Sequence, residues 1–233
     1  LDRPFGVDES GRPIDHLSGK LIVGCLEWMK IVVGRNAEQH APPELDSRER
    51  GALVSAARDA ALERLVTMLN AAIPDPRYHV SRDYLLNEGN QYTMEFWLFV
   101  YDYCRVISGD PDFAFNQGAR NIPAAVVLMT RPLGVQRTYA VLPRLSARFV
   151  KTDLRVVSTT ATSAVIQWYG RSHAELLPPP HLEPWLRASC RAYQGTFAAI
   201  PSLIFGLPQA TVRQLRCQAD GAPYCEFEFT WQA

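Results

Sequence analysis

The spacing of apolar residues in this chain changes near residue 151: before it they recur every three or four positions, and after it every second one. Residues 1–14 carry Pro4, Gly6, Gly11 and Pro13 among charges and read as a loose lead-in. From Leu17 to Val33 apolar residues dominate, which predicts a helix, although Leu21-Ile22-Val23 would also suit a strand. Pro42-Pro43 marks the 36–44 stretch as a linker, and Asp46 with Glu49 three positions on is a capping box. The stripe Leu62, Leu65, Val66, Leu69 and Ile73 then follows one helical face, with Arg58, Asp59 and Glu63 away from it, until Pro74 and Pro76 end the helix. A stripe this long needs a cover, either its own domain or a second copy of the chain. Between Thr93 and Ile107, Met94-Glu95-Phe96-Trp97-Leu98-Phe99-Val100-Tyr101 is apolar almost all round, as in a buried helix that Gly109-Asp110-Pro111 stops. Two or three short helices follow, broken at Gly118, Pro123, Pro132, Gly134 and Pro143.

Beyond Lys151, Leu154, Val156 and Ser158 alternate with Arg155, Val157 and Thr159, and Ala164, Ile166 and Trp168 alternate with Val165, Gln167 and Tyr169, which together predict a hairpin. A helix from about Leu182 to Phe197 and two strands, Thr211–Cys217 and Cys225–Trp231, complete the pattern. The fold class is therefore α+β: a helical N-terminal half followed by a helix-covered antiparallel sheet of four or more strands. Residues 1–45 form an arm, a helix and a linker, and residues 46–233 form the main domain, in which helix 46–76 offers a surface for a homodimer.

Charge narrows the partners. Lys plus Arg and Asp plus Glu each number 24, and no basic cluster exceeds two residues, so neither nucleic acid nor an anionic membrane is the expected partner. No apolar run reaches the roughly 18 residues of a membrane helix. The start lacks signal-peptide order, and the five scattered cysteines form no disulfide framework, which makes the cytoplasm the expected location. The chain starts without Met and stops just after a strand-like run, so further sequence, an output domain, is expected beyond it.

The densest chemistry is C-terminal. Cys225, Phe227, Phe229 and Trp231 share one strand face, with Glu226, Glu228 and Thr230 on the other. A hairpin symmetric about Gly221 sets Cys217 opposite Cys225, where paired β-carbons are about 4.5–5.5 Å apart. Such sulfurs can form a disulfide, ligate one metal ion, or fill the core as buried thiols do. Cys190, on the helix expected over the sheet, is the natural third thiol; a closed zinc site needs a fourth ligand, for which Gln214, Asp220, His173 and His181 are candidates.

The succession Cys190-Arg191-Ala192-Tyr193-Gln194-Gly195, Ile200-Pro201, Gly206-Leu207-Pro208, Val212, Cys217, Gly221 and Cys225-Glu226-Phe227 resembles the end of 4-vinyl reductase-like bacterial sensor domains over about 45 residues. Upstream, Gly109-Asp110-Pro111-Asp112-Phe113 and Gly118 are similar to related sensor regions that precede cyclase, diguanylate cyclase or histidine kinase domains. The resemblance implies a regulatory α/β ligand-binding fold related to haem-nitric-oxide-binding domains and often dimeric. In aromatic-sensing members it implies zinc held by three cysteines, here Cys190, Cys217 and Cys225, and a glutamate whose place is taken by Gln214.

No nucleophile elbow, P-loop, dinucleotide fingerprint or paired-histidine motif is present, and His16, His40, His79, His173 and His181 are scattered singly. Glu95 stands either toward a ligand cavity or as a first-turn carboxylate at the positive end of its helix. The expectation is a non-enzymatic sensor of a small, largely apolar molecule, bound by Glu95, Phe96, Phe99, Tyr103 and Trp168 between the buried helix and the first hairpin. Its rivals are a scaffold that only dimerises and a reductase-type enzyme.

Overall fold

The computed structural model describes residues 1–120, 122, 124–149 and 153–232, without the side chains of 145–149, 173 and 174. Pro123, Lys151 and the His173 side chain lie outside that set. Contacts divide the chain into two compact units, Leu1–Phe113 and Ala114–Ala233, a division at a different place from the 45/46 boundary expected from the linker.

The first unit is helical. A two-residue strand β1 (Leu17–Ser18) leads into α1 (Gly19–Gln39), which runs further into the expected linker than Pro42-Pro43 suggested. Asp46 and Glu49 close their capping box and open α2 (Ser47–Ala71). A short α3 (Arg82–Leu86) and strand β2 (Gln91–Tyr92), antiparallel to β1, precede α4 (Met94–Ser108). Thr93 caps α4 through its hydroxyl, and Gly109 ends it with a left-handed φ of 68°.

Ile22, Cys25, Leu26 and Met29 of α1, Leu62, Leu65 and Leu69 of α2, and Phe96, Val100 and Cys104 of α4 bury one another. The stripe of α2 is thus covered within its own unit. Arg58, off that stripe, sets its guanidinium over Gly34 and donates from Nε to the Lys30 carbonyl at 3.2 Å, a contact that leaves no room for a Cβ at Gly34. Trp28 donates to the buried Asp110 carboxylate at 2.8 Å, which satisfies an otherwise costly acid at the turn after α4. The lead-in is not loose. Phe5 packs 4.7 Å from the Tyr84 ring, and the Pro4 carbonyl accepts from the Thr93 N–H at 2.9 Å, so burial of an aromatic outweighs the Gly and Pro signals.

The second unit is a four-stranded antiparallel sheet with helices. After α5 (Phe113–Gly118) come α6 (Ala124–Thr130) and α7 (Val135–Phe149). Pro143 was expected to break α7, yet the helix passes through it. An internal proline costs about 3 kcal/mol; Tyr139, fully buried and stacked 4.7 Å from Trp231, and buried Leu142 anchor the helix around it. The strands are β3 (Leu154–Thr159), β4 (Ser163–Trp168), β5 (Thr211–Arg216) and β6 (Cys225–Thr230), in the order β3-β4-β6-β5.

The inner strands β4 and β6 keep strict alternation: Ala164, Ile166 and Trp168, and Cys225, Phe227 and Phe229, are all buried on one face. Opposite them, Gln167 donates to Glu226 at 2.8 Å, and Arg213 pairs with Glu228, its partner across the ladder, at 2.7 Å. Helix α8 (Pro179–Ala198) adjoins the sheet, and α9 (Ile200–Phe205) follows it. Trp168 lies 5.8 Å from the Trp185 ring and 4.9 Å from Tyr193 of α8.

Two glycines let α5 and α8 meet backbone to backbone. A Cβ at Gly118 would strike the Ala192 carbonyl, and one at Gly195 would strike that of Phe115. Thr196 seals the crossing by donating to the Gly118 carbonyl at 2.8 Å. Gly195→Ala is expected to destabilise the protein by about 3 kcal/mol through overpacking against main chain. Gly51→Ala, on the open face of α2 with nothing within 4 Å, should instead stabilise by about 0.5–1 kcal/mol. Denaturant midpoints of the two variants against the parent check the opposite signs.

Candidate functional site

Three elements of the second unit bring Cys190, Cys217 and Cys225 together. Cys225 opens β6 on the core face, across the ladder from Trp168. Cys217 directly follows the facing strand β5, where Gly221 adopts φ 89° and turns the chain back through Gln218–Asp220. The pairing Arg216↔Glu226 extends to put Cys217 opposite Cys225, as a hairpin symmetric about Gly221 requires. Cys190 comes from α8. Its Sγ lies 4.0 Å from that of Cys217, which lies 4.0 Å from that of Cys225, and all three sulfurs fall within 4.8 Å of one another. Among the described residues, no histidine or carboxylate joins this group.

Two of the fourth-ligand candidates, Gln214 and Asp220, are otherwise engaged. Gln214 places Oε1 3.6 Å from the Cys190 sulfur, but the same oxygen accepts from Gln194 Nε2 at 2.6 Å. Asp220 pairs with Arg187 at 3.0 Å. Sequence reasoning missed Gln194 and Gln218. Gln194 follows Cys190 by one helical turn, a spacing that signals a shared face. Gln218 donates its backbone N–H to the Cys225 sulfur at 3.2 Å and ties the turn to Pro223 at 2.8 Å, and no local pattern marks it. Beside the sulfurs is a cavity of about 190 Å³ lined by Arg187, Cys190, Arg191, Gln194, Gln214 and Cys217. A second, of about 350 Å³, has walls from Leu133, Val135, Leu207 and Trp231, with Gln136, Arg137 and Gln232 adding polar groups.

The aromatic set divides between the units. Phe96 is fully buried and stacked 4.9 Å from Tyr92, and Trp168 is closed into the α8–sheet core. Phe99 and Tyr103, half-buried and 5.9 Å apart edge to face, keep surface of their own. Glu95 occupies the first turn of α4, half-buried, where the helix dipole favours a carboxylate.

No protein-family model and no curated protein sequence matches the chain. Solved structures do. A Cs H-NOX variant carrying 4-cyano-L-phenylalanine aligns over 93% of this chain and 97% of its own at 8% identity, with a TM-score of 0.56. A T. tengcongensis H-NOX mutant and the Fe(II) unliganded H-NOX protein from K. algicida align over 93% of this chain and 98% and 97% of theirs, each at 8% identity and TM-score 0.54. The chain has the H-NOX fold.

The α+β expectation is met, whereas the narrower 4-vinyl reductase-like likeness finds no counterpart among these matches. The H-NOX likeness overturns zinc as the expected cofactor, because H-NOX proteins are haem domains. Haem in turn needs an axial ligand, commonly histidine. Neither cavity of the second unit is lined by one, while His40 contacts the Asn36 carbonyl and His79 that of Ile73. The larger of these two cavities, lined by no histidine, cysteine, methionine or tyrosine, does not fit a haem.

The Cys225 thiol is lowered from 9.0 to about 7, chiefly by its interaction with Cys190 and further by the Gln218 N–H, against the effect of burial. Cys190 is pushed up by the same interaction and by burial, and Cys217 mainly by burial. Between pH 7 and 9 the folded chain has lost a proton that the unfolded chain keeps, so Cys225 adds stability as pH rises. As pH approaches 9 and passes it, the unfolded chain loses protons that folded Cys25, Cys104, Cys190 and Cys217 retain, and stability falls. Urea midpoints from pH 6 to 10 should therefore peak at about pH 8.5, and Cys225→Ser should remove the rise above pH 7.

Proposed function

We propose that this domain is a sensor of a small, largely apolar molecule, and that occupancy biases the activity of an attached output domain. The observation that carries the reading is the H-NOX fold, spanning 93% of the chain at TM-score 0.56, since the matched proteins are themselves ligand-binding domains. The open cleft of about 350 Å³ is where this reading places the ligand, its volume lying within the usual range for small-ligand sites, about 300–1,000 Å³. Its walls supply apolar contact, and Arg137 and Gln136 offer donors to a polar group on the ligand. Binding to one conformation more tightly than another is sufficient to shift an output equilibrium.

Native mass spectrometry of freshly purified protein, followed by thermal-shift screening of small apolar compounds, tests the proposal. A bound compound at about 100 times its Kd should stabilise the protein by about 2.7 kcal/mol. Leu207→Trp, which fills the cavity, should abolish the shift, and Phe99→Ala should leave it intact. The converse result would move the ligand to the exposed edge of α4. Neither a co-purified molecule nor any stabilising compound would overturn the sensor reading.

A further inference from the structure

The five cysteines fall into two groups. Cys25 and Cys104 are fully buried among the helices of the first unit, where burial pushes the Cys25 thiol up to about 12 and Cys104 well above its ordinary value. Such thiols are inert. Cys190 and Cys217 instead line a cavity, and Cys225 stands directly behind Cys217.

We propose that Cys190, Cys217 and Cys225 form an oxidation site, in which a hydroperoxide entering the cavity converts the trio to one disulfide with Cys217 as the pivot. Cys217 is the only member 4.0 Å from both others, so it can bond to either but not to both at once. In the first step Cys217 passes its proton to the Cys225 thiolate, 4.0 Å away, and its sulfur attacks the distal peroxide oxygen. An S–O bond forms, the O–O bond breaks, and the leaving oxygen takes up a proton as the alcohol, or as water from hydrogen peroxide. In the second step a neighbouring thiolate attacks the sulfenic sulfur; the S–S bond forms, the S–O bond breaks, and hydroxide leaves as water with the thiol proton. Two thiols and one hydroperoxide give one disulfide, one alcohol and one water, with the thiols oxidised by two electrons and the peroxide reduced by two.

Geometry favours both products. Cys217 and Cys225, just past the last ladder pair Arg216↔Glu226, bring their sulfurs to 4.0 Å; β-carbons facing across such a hairpin are about 4.5–5.5 Å apart, against about 3.5–4.5 Å in a disulfide. Side-chain rotation and a small closure suffice. Arg187 and Arg191 line the cavity, as does Gln214, and the two arginines bring N–H donors to the leaving oxygen. The products differ in consequence: Cys217–Cys225 staples only the hairpin, while Cys190–Cys217 ties α8 to the end of β5.

The test treats the whole chain, with a chelator present, with one equivalent of hydrogen peroxide, then alkylates it under denaturing conditions and maps peptides by mass spectrometry. Free thiols should fall from the five present to three, and dithiothreitol should restore them. Cys190→Ser should still form Cys217–Cys225, and Cys225→Ser should still form Cys190–Cys217. Cys217→Ser should slow disulfide formation by about tenfold or more, and Cys25→Ser should change nothing. Circular dichroism and thermal melts of each variant confirm that it is folded, with Cys217→Ala as the substitute if the serine variant is not. Oxidation that stops at sulfinic acid without a disulfide, that pairs Cys25 or Cys104, or that proceeds at the parent rate in a folded Cys217 variant would overturn the proposal.

Discussion

Helix α8 is held to its unit by a backbone-to-backbone crossing with α5, and the arrangement of the second unit depends on it. Gly118 and Gly195 face each other's helices without a Cβ, and Thr196 bonds across the gap. That crossing sets the rotation of α8 about its own axis. At this rotation Trp185 and Tyr193 meet Trp168, Phe197 meets Phe229 at 5.9 Å, and Cys190 with Gln194 reaches the end of the β5–β6 hairpin. A turn of α8 by one residue would move the thiol about 100° away. The sulfur cluster is thus a product of helix packing as much as of the hairpin that supplies two of its members.

Much of this was legible in the residues, where the determining interactions are local. The capping box of Asp46 and Glu49, the stripe of α2, the alternation of β4 and β6 and the turn at Gly221 each depend on neighbours within a few positions, and each formed as expected. The meeting of Cys190 with the hairpin was inferable because the pattern predicts a single helix, carrying Cys190, between the two strand pairs. What escaped depends on distant partners. Pro143 sits within a helix that Tyr139 anchors through Trp231, and Phe5 is fixed by tyrosines some eighty residues on. Gln218 carries no pattern that distinguishes it from a surface glutamine, and Gln194 only its one-turn spacing from Cys190; their hydrogen bonds exist only once α8 and the hairpin are in place.

The candidate ligand residues show the same division. An aromatic run such as Phe96–Tyr103 is equally compatible with a core and with a pocket wall; in the structure Phe96 is sealed, while Phe99 and Tyr103 retain surface. Trp168 is core because α8 covers it. The H-NOX fold of the chain is shared at 8% identity, so the architecture persists while the chemistry of its sites is free to diverge. Here the cavity beside α8 presents sulfur and arginine, and the other presents apolar walls with no histidine.

The convergence of three sulfurs where α8 meets the β5–β6 hairpin is the geometric statement on which the rest of the site stands. It is most directly measured with dibromobimane, which becomes strongly fluorescent only when both of its arms alkylate thiols a few ångströms apart. The native chain should give a fluorescent bridged adduct mapping to Cys217 together with Cys190 or Cys225, while Cys25 and Cys104 remain unmodified. Single-arm adducts alone, or a bridge no more frequent in the native protein than in urea, would contradict the seating of α8 described above.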